Sequence, residues 1–249
     1  MVDLEPIHAR LRWADDAVAH LQSSVERYSA LPPFQTTKAH WPDGQTVERA
    51  ELIQDPPIEI SLLLSDISHH LRATLDNLVG AVREGGSSQQ SAFPITSDPA
   101  KFEQLATADR YLEGVPAWAV EAVRLFQPFP DNLASWAGGR LLILNELAQL
   151  DRHRALALRA ALVEADYVEV QISDHSIPIE FRQDGPRAAE VIYGGETRVR
   201  SHFNVRVLIA EPSPLLNGEE TLPLARNLSN IVQWVVGDME RRVREAFAT

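Results

Sequence analysis

The segment Ser65-Asp66-Ile67-Ser68-His69-His70-Leu71-Arg72-Ala73-Thr74-Leu75-Asp76-Asn77-Leu78 sets acids, histidines and an arginine among apolar residues at helical spacing. An unpaired charge in such a setting is costly, so these groups must satisfy one another or line a cleft. On a helical wheel of about 100° per residue, with Asp66 at about 0°, His69, Arg72 and Asp76 fall near 300°, 240° and 280°, sharing one stripe. His70 and Asn77 lie on the other flank of Asp66. An arginine with acids a turn away can pair along its own helix, or present its fork to a phosphate or carboxylate. The first reading is an internal ion-pair network; the second is an anion site.

A second constellation, Asn145-Glu146-Leu147-Ala148-Gln149-Leu150-Asp151-Arg152-His153-Arg154, closes a long apolar helix. Basic residues at a helix C-terminus complement the macrodipole, which is reason enough for them to be there. They become functional if Asp151, His153 or Arg154 meets the Arg72 stripe, uniting a base, an orienting acid and an anion clamp. Asp66 with His69, and Glu146 with Gln149 and His153, have spacings from which helix pairs build metal sites. Within these two segments the diiron spacing of glutamate and histidine and the zinc spacing of two histidines are both missing, so no metal or other cofactor is expected. A glycine-rich phosphate loop, a nucleophile elbow and a dinucleotide fingerprint are missing too. The pair Gly138-Gly139 is too short a signal to use, and Trp13, Trp118, Trp136 and Trp234 are expected to pack between helices.

The elements that must position these groups follow from periodicity. Ile7 to Ala30 reads as a long helix ended by Pro32-Pro33, and Trp41-Pro42-Asp43-Gly44 marks a turn inside a possible hairpin from Phe34 to Glu51. A second long helix starts after Pro56-Pro57 and runs to about Glu84. A polar loop, Gly85 to Ser91, then returns to an apolar anchor at Phe93-Pro94-Ile95. Short helices are expected over Pro99 to Ala106 and Pro116 to Phe126, and a third long helix from about Asn132 through Leu150. Tyr167 to Ser173, Ile177 to Arg182, Glu190 to Tyr193 and His202 to Ile209 read as strands, with Gly194-Gly195 as a hairpin turn. A last helix spans about Leu222 to Phe247. The expected fold is α+β: mainly a bundle of four long helices with an antiparallel β insertion before the C-terminal helix. It forms a single domain, with the bundle drawn from residues 1–160 and 220–249 and the insertion from 161–215.

Composition bounds the function. With 249 residues, 45% of them hydrophobic, the chain can build a substantial core. Having no cysteine, it has no disulfide, thiolate nucleophile or iron–sulfur ligand. A net charge of −12 opposes nonspecific binding of nucleic acid or anionic membrane, leaves room for a local basic cleft, and suits a basic protein partner. Without a long apolar run or signal-peptide pattern at the start, a cytoplasmic protein is expected.

The helix Ser65 to Leu78, the Phe93-Pro94-Ile95 anchor, the Gln127-Pro128-Phe129 step and the run from Leu144-Asn145-Glu146-Leu147 to Asp151-Arg152-His153-Arg154 together resemble a group of uncharacterised bacterial proteins. That group carries Asp-His where this chain has Asp76-Asn77, and an Asp-Lys-His-Arg box. More distantly, the arginine-bearing helix resembles that of HEPN domains, helical bundles that often dimerise and include metal-independent endoribonucleases. The resemblance implies a HEPN-like homodimer binding RNA or another anionic ligand, with ribonuclease activity open to it. Arg72 would then clamp phosphate, Asp76 orient it, and His69 or His153 transfer a proton, with Asp66, Asn77, Asp151 and Arg154 contacting the ligand. Asn77 stands where that family has histidine, and an amide does no acid or base work near neutral pH. The competing expectation is a noncatalytic interaction or regulatory subunit whose polar stripe fixes helix register.

Overall fold

The computed structural model of the protein describes residues 2–31, 33–83, 91–108, 111–130, 135–150, 155–171, 179–194 and 198–247. Among these residues the order of elements is α1 (Glu5–Ala30), β1 (Phe34–His40), β2 (Gln45–Leu52), α2 (Ile58–Val82), α3 (Pro99–Glu103), α4 (Ala117–Leu125), α5 (Ser135–Leu150), β3 (Leu158–Gln171), β4 (Glu180–Asp184), β5 (Ala188–Gly194), β6 (Arg198–Ile209) and α6 (Thr221–Phe247). A π-helical stretch, Gln104–Ala108, follows directly on α3. The chain forms two compact units, one of Met1–Leu21, Leu62–Leu156 and Leu222–Thr249, the other of Gln22–Ser61 and Ala157–Thr221.

This corrects the expected architecture. Among the described residues, six α-helices and six strands in two antiparallel sheets replace a HEPN-like bundle of four long helices with one late insertion. The strands are not confined to the region before α6. The hairpin between α1 and α2 joins the later strands in a sheet of order β1-β2-β5-β4, with β2 antiparallel to β5 from Gln45↔Gly194 to Glu51↔Ala188. Pairing across about 140 residues leaves no trace in local periodicity, which is why an early hairpin reads as an isolated feature. The second sheet pairs β3 with β6, and β3 begins at Leu158 rather than Tyr167. Its opening residues, Leu158-Arg159-Ala160-Ala161-Leu162, are good helix formers, and pairing with Val205 to Ile209 overrides that preference. The expected turn at Gly194-Gly195 falls partly outside the described residues, and β5 and β6 on either side of it lie in different sheets.

In the helical unit, α1 buries Ile7, Leu11, Ala14 and Leu21, α2 buries Leu64, Ile67, Leu71, Leu75 and Leu78, and α6 buries Leu224, Leu228, Val232, Val235 and Met239. Two buried hydroxyls on α2 bond back to their own helix, Ser68 Oγ to Ser65 C=O at 2.8 Å and Thr74 Oγ1 to His70 C=O at 2.7 Å. They enter the core without leaving an unpaired group. Asp15 on α1 accepts from Ser229 Oγ at 2.7 Å and from Gln233 Nε2 at 2.9 Å, tying α1 to α6. Gly138 on α5 is where the backbone of Pro128 comes closest: a Cβ at that position would stand 2.4 Å from the Pro128 nitrogen.

In the other unit, Val47, Ala50, Leu162, Val191, Phe203 and Val207 are buried, and Phe34 meets Phe203 edge-on at 5.8 Å, joining the two sheets. The β3–β6 ladder breaks register between Leu162 and Glu164 and again between Tyr167 and Glu169, as bulges do. Of the tryptophans expected to pack between helices, Trp13 departs from that expectation. Trp13 is 59% exposed, while Trp234 is partly exposed and stands edge-on to Phe126 at 4.8 Å.

Candidate functional site

Helix α2 delivers Arg72 and Asp76 one turn apart, and the extended segment from Ser91 to Thr96 runs beside them. Nη1 of Arg72 lies 2.9 Å from Oδ1 of Asp76, and Nη2 donates to the carbonyl of Phe93 at 2.8 Å. The same Asp76 oxygen accepts the Phe93 N–H at 2.8 Å. Both backbone groups of Phe93, whose ring is fully buried, are thus met by a charged partner from α2.

Gln127 holds the next residues of the segment. Fully buried, it donates through Nε2 to the carbonyls of Pro94 at 2.8 Å and Val123 at 3.0 Å, and accepts the Thr96 N–H at 3.0 Å through Oε1. The Phe93-Pro94-Ile95 anchor is therefore fastened by α2 at its start and by the residue after α4 at its end. Three of the quoted sequence features meet in this one clasp.

The clasp forms one wall of a pocket of about 450 Å³. Arg72, Asp76, Ser91, Tyr111, Asn145 and Gln149 supply its polar lining, and Ala92, Ile95, Leu105 and Ala148 its apolar lining. Asn145 and Gln149 stand at i, i+4 on α5, so both amides face the same space. The turn bearing Tyr111 is held by Arg83, whose Nη2 donates to the Tyr111 carbonyl at 3.3 Å. The volume is that of a small-molecule site.

Of the residues given a ligand or catalytic role from sequence, the pocket unites Arg72 and Asp76, and it adds Asn145 and Gln149 from the second constellation. Asp66, His69 and Asn77 are exposed on α2 and do not line it. His70 is half-buried with its ring 5.7 Å from that of Trp13. Asp151, His153 and Arg154 lie outside the described residues. The single stripe expected for Asp66, His69, Arg72 and Asp76 therefore divides into an exposed half and a half turned onto Phe93. Among the described residues no three histidine, aspartate or glutamate side chains converge as a metal site would require.

Sequence reasoning missed Ser91 and Tyr111, which carry no motif. For Asn145 and Gln149 a signal existed, two amides one turn apart on a helix of buried leucines. With an arginine, an acid, a phenol and two amides around a small volume, and no histidine lining it among the described residues, the arrangement is equipped to hold a polar molecule. Compared with protein-family models, curated proteins and solved structures, the chain matches none of them.

Proposed function

We propose that the protein binds a small polar molecule bearing a phosphate or carboxylate in the Arg72 pocket. The observation that carries this reading is the convergence of a mostly buried guanidinium, 15% exposed, with the amides of Asn145 and Gln149 around one pocket of small-molecule size. The guanidinium brings positive charge to the wall of the pocket, and the amides offer both donors and acceptors to a bound molecule. The resemblance of the α2 helix to arginine helices that hold phosphate supports the choice of anion. The net charge of −12 favours a small anion over an RNA strand, whose many phosphates the average surface repels.

Thermal shift and calorimetry with a panel of sugar phosphates, nucleotides and carboxylic acids test this. A true ligand at about one hundred times its Kd adds about 2.7 kcal/mol, or roughly 5 to 11 °C at this size. Asn145→Ala and Gln149→Ala, which leave the clasp intact, should abolish the shift without lowering the melting temperature of the free protein. A panel without any shift overturns the proposal, and specific retention of single-stranded RNA would replace it with the nucleic-acid reading.

A second reading has its own observation. The bonds from Arg72 and Asp76 to Phe93 fasten a segment of backbone, which is what a purely architectural pair does. On that reading the protein is a noncatalytic interaction subunit, and the Asn145 and Gln149 variants change no binding property.

A further inference from the structure

The sheet β1-β2-β5-β4 has two outer strands, and they differ in how their open edges are guarded. β4 is short and carries Glu180, Arg182 and Asp184 at alternate positions, which discourages further pairing. β1 has seven residues, Phe-Gln-Thr-Thr-Lys-Ala-His, with no proline and an unbroken register against β2. All of it from Gln35 to His40 is exposed. Its one full charge, Lys38, lies 3.4 Å from Glu48 on the neighbouring strand, and His40 Nδ1 meets Thr46 Oγ1 at 2.9 Å.

Hydrogen-bond parity shows which backbone groups face outward. Trp41 N–H donates to Gln45 C=O at 2.7 Å, and Ile53 N–H to Pro33 C=O at 2.9 Å. Odd-numbered positions of β1 therefore point their backbone groups at β2, and by alternation Thr36, Lys38 and His40 point theirs at the open edge.

We infer that β1 is the interface with a second copy of this chain, pairing antiparallel with the second copy's β1 about a two-fold axis through Thr37. The sequence of the strand selects this partner and register. Pairing must match outward positions with outward positions, so the axis passes through a residue and not between two. Centred on Thr37, Thr36 faces Lys38, Phe34 faces His40, and threonine faces threonine at the non-hydrogen-bonded centre, a favourable cross-strand pair. Centring on Lys38 would set two ammonium groups against each other, and centring on Thr36 would shorten the overlap. The neutralised lysine leaves no net like-charge contact in the preferred register, despite two chains of −12 each.

The chain has no cysteine, so Thr37→Cys introduces a lone reporter. In the proposed register the two Thr37 Cα atoms stand about 4.5 Å apart, within disulfide reach. Ala39 faces Gln35 instead, which separates its two copies by roughly 13 Å along the strands. Mild oxidation with diamide should link Thr37→Cys into a covalent dimer and leave Ala39→Cys unlinked. Light scattering should find the parent protein dimeric and Thr36→Pro monomeric, because a proline there removes only an outward N–H and spares the β1–β2 ladder. A monomeric parent at tens of micromolar overturns the inference. So does a dimer that Thr36→Pro leaves intact, or one in which both cysteine variants link equally. A Thr36→Pro protein whose circular dichroism departs from the parent is set aside, and the cysteine pair alone decides.

Discussion

Arg72 closes onto Asp76 one turn along the same helix, with 2.9 Å between Nη1 and Oδ1, and the pair together bonds both backbone groups of Phe93. The pair therefore has a structural duty whatever the pocket binds, and its removal is to be read in melting temperature before activity.

Arg72→Ala should destabilise the protein by about 3 kcal/mol, the lower end of what breaking a buried pair costs, because Asp76 at 32% exposure is partly rescued by water. At this size that is a fall of roughly 6 to 12 °C. Asp76→Asn keeps an acceptor for Phe93 and should lose less. Differential scanning calorimetry of both variants checks the order, and an Asp76→Asn protein weaker than Arg72→Ala would show that the carboxylate, not the arginine, carries the clasp.

Gln127→Ala removes bonds to Pro94, Val123 and Thr96 from a fully buried site. Each backbone group left buried without a partner costs about 1 to 3 kcal/mol, so this loss should equal or exceed that of Arg72→Ala. Urea unfolding gives the comparison directly.

Gly138 and Gly139 are adjacent and should respond in opposite ways. A Cβ at Gly138 meets the backbone of Pro128 and Gln127, whereas one at Gly139 meets nothing within 4 Å. Gly138→Ala should lower stability by about 1 to 3 kcal/mol through overpacking, and Gly139→Ala should raise it by several tenths through helix propensity. Equal melting temperatures for the two variants would contradict the close approach of α5 to Pro128.

Tyr28 is buried, donates to the Gln54 carbonyl at 2.7 Å, and has its pKa pushed up to about 12, mainly by burial and then by the Asp55 carboxylate, with Arg187 opposing. The folded protein thus holds a proton that the unfolded chain releases near 10. Tyr28 contributes its full stability below pH 10, and that contribution is lost as pH rises through 12. Ultraviolet titration near pH 11 should find a larger shortfall of tyrosinate, folded against unfolded, in the parent than in Tyr28→Phe.

His70 titrates in the other direction. Burial, then the Arg10 cation, then His69 hold its pKa below the ordinary 6.5, with Asp66 opposing. The unfolded chain takes up this proton first as pH falls, so the contribution is complete above 6.5 and lost as pH drops through the lower folded value. Melting curves from pH 8 to pH 5 should fall less steeply for His70→Phe than for the parent.

Much of the fold is legible in one dimension. α1, α2, α5 and α6 follow from apolar spacing and from prolines at Pro32-Pro33 and Pro56-Pro57, because a helix buries a stripe that recurs within its own sequence. The β1–β2 turn follows from Pro42-Asp43-Gly44, where Gly44 takes a φ of 84° that a residue with a Cβ resists. The pairing of Arg72 with Asp76 was open to inference for the same reason, both partners lying on one turn of one helix.

Tertiary structure decided whatever joins residues far apart in the chain. It placed β2 against β5, drew Leu158 to Leu162 into a strand against their helical preference, and turned Arg72 onto a backbone segment instead of toward His69. It also brought Ser91, Tyr111, Asn145 and Gln149 around one pocket. These contacts are chosen by the burial and hydrogen bonding of the folded whole, and a local pattern records only the half of each contact that it contains.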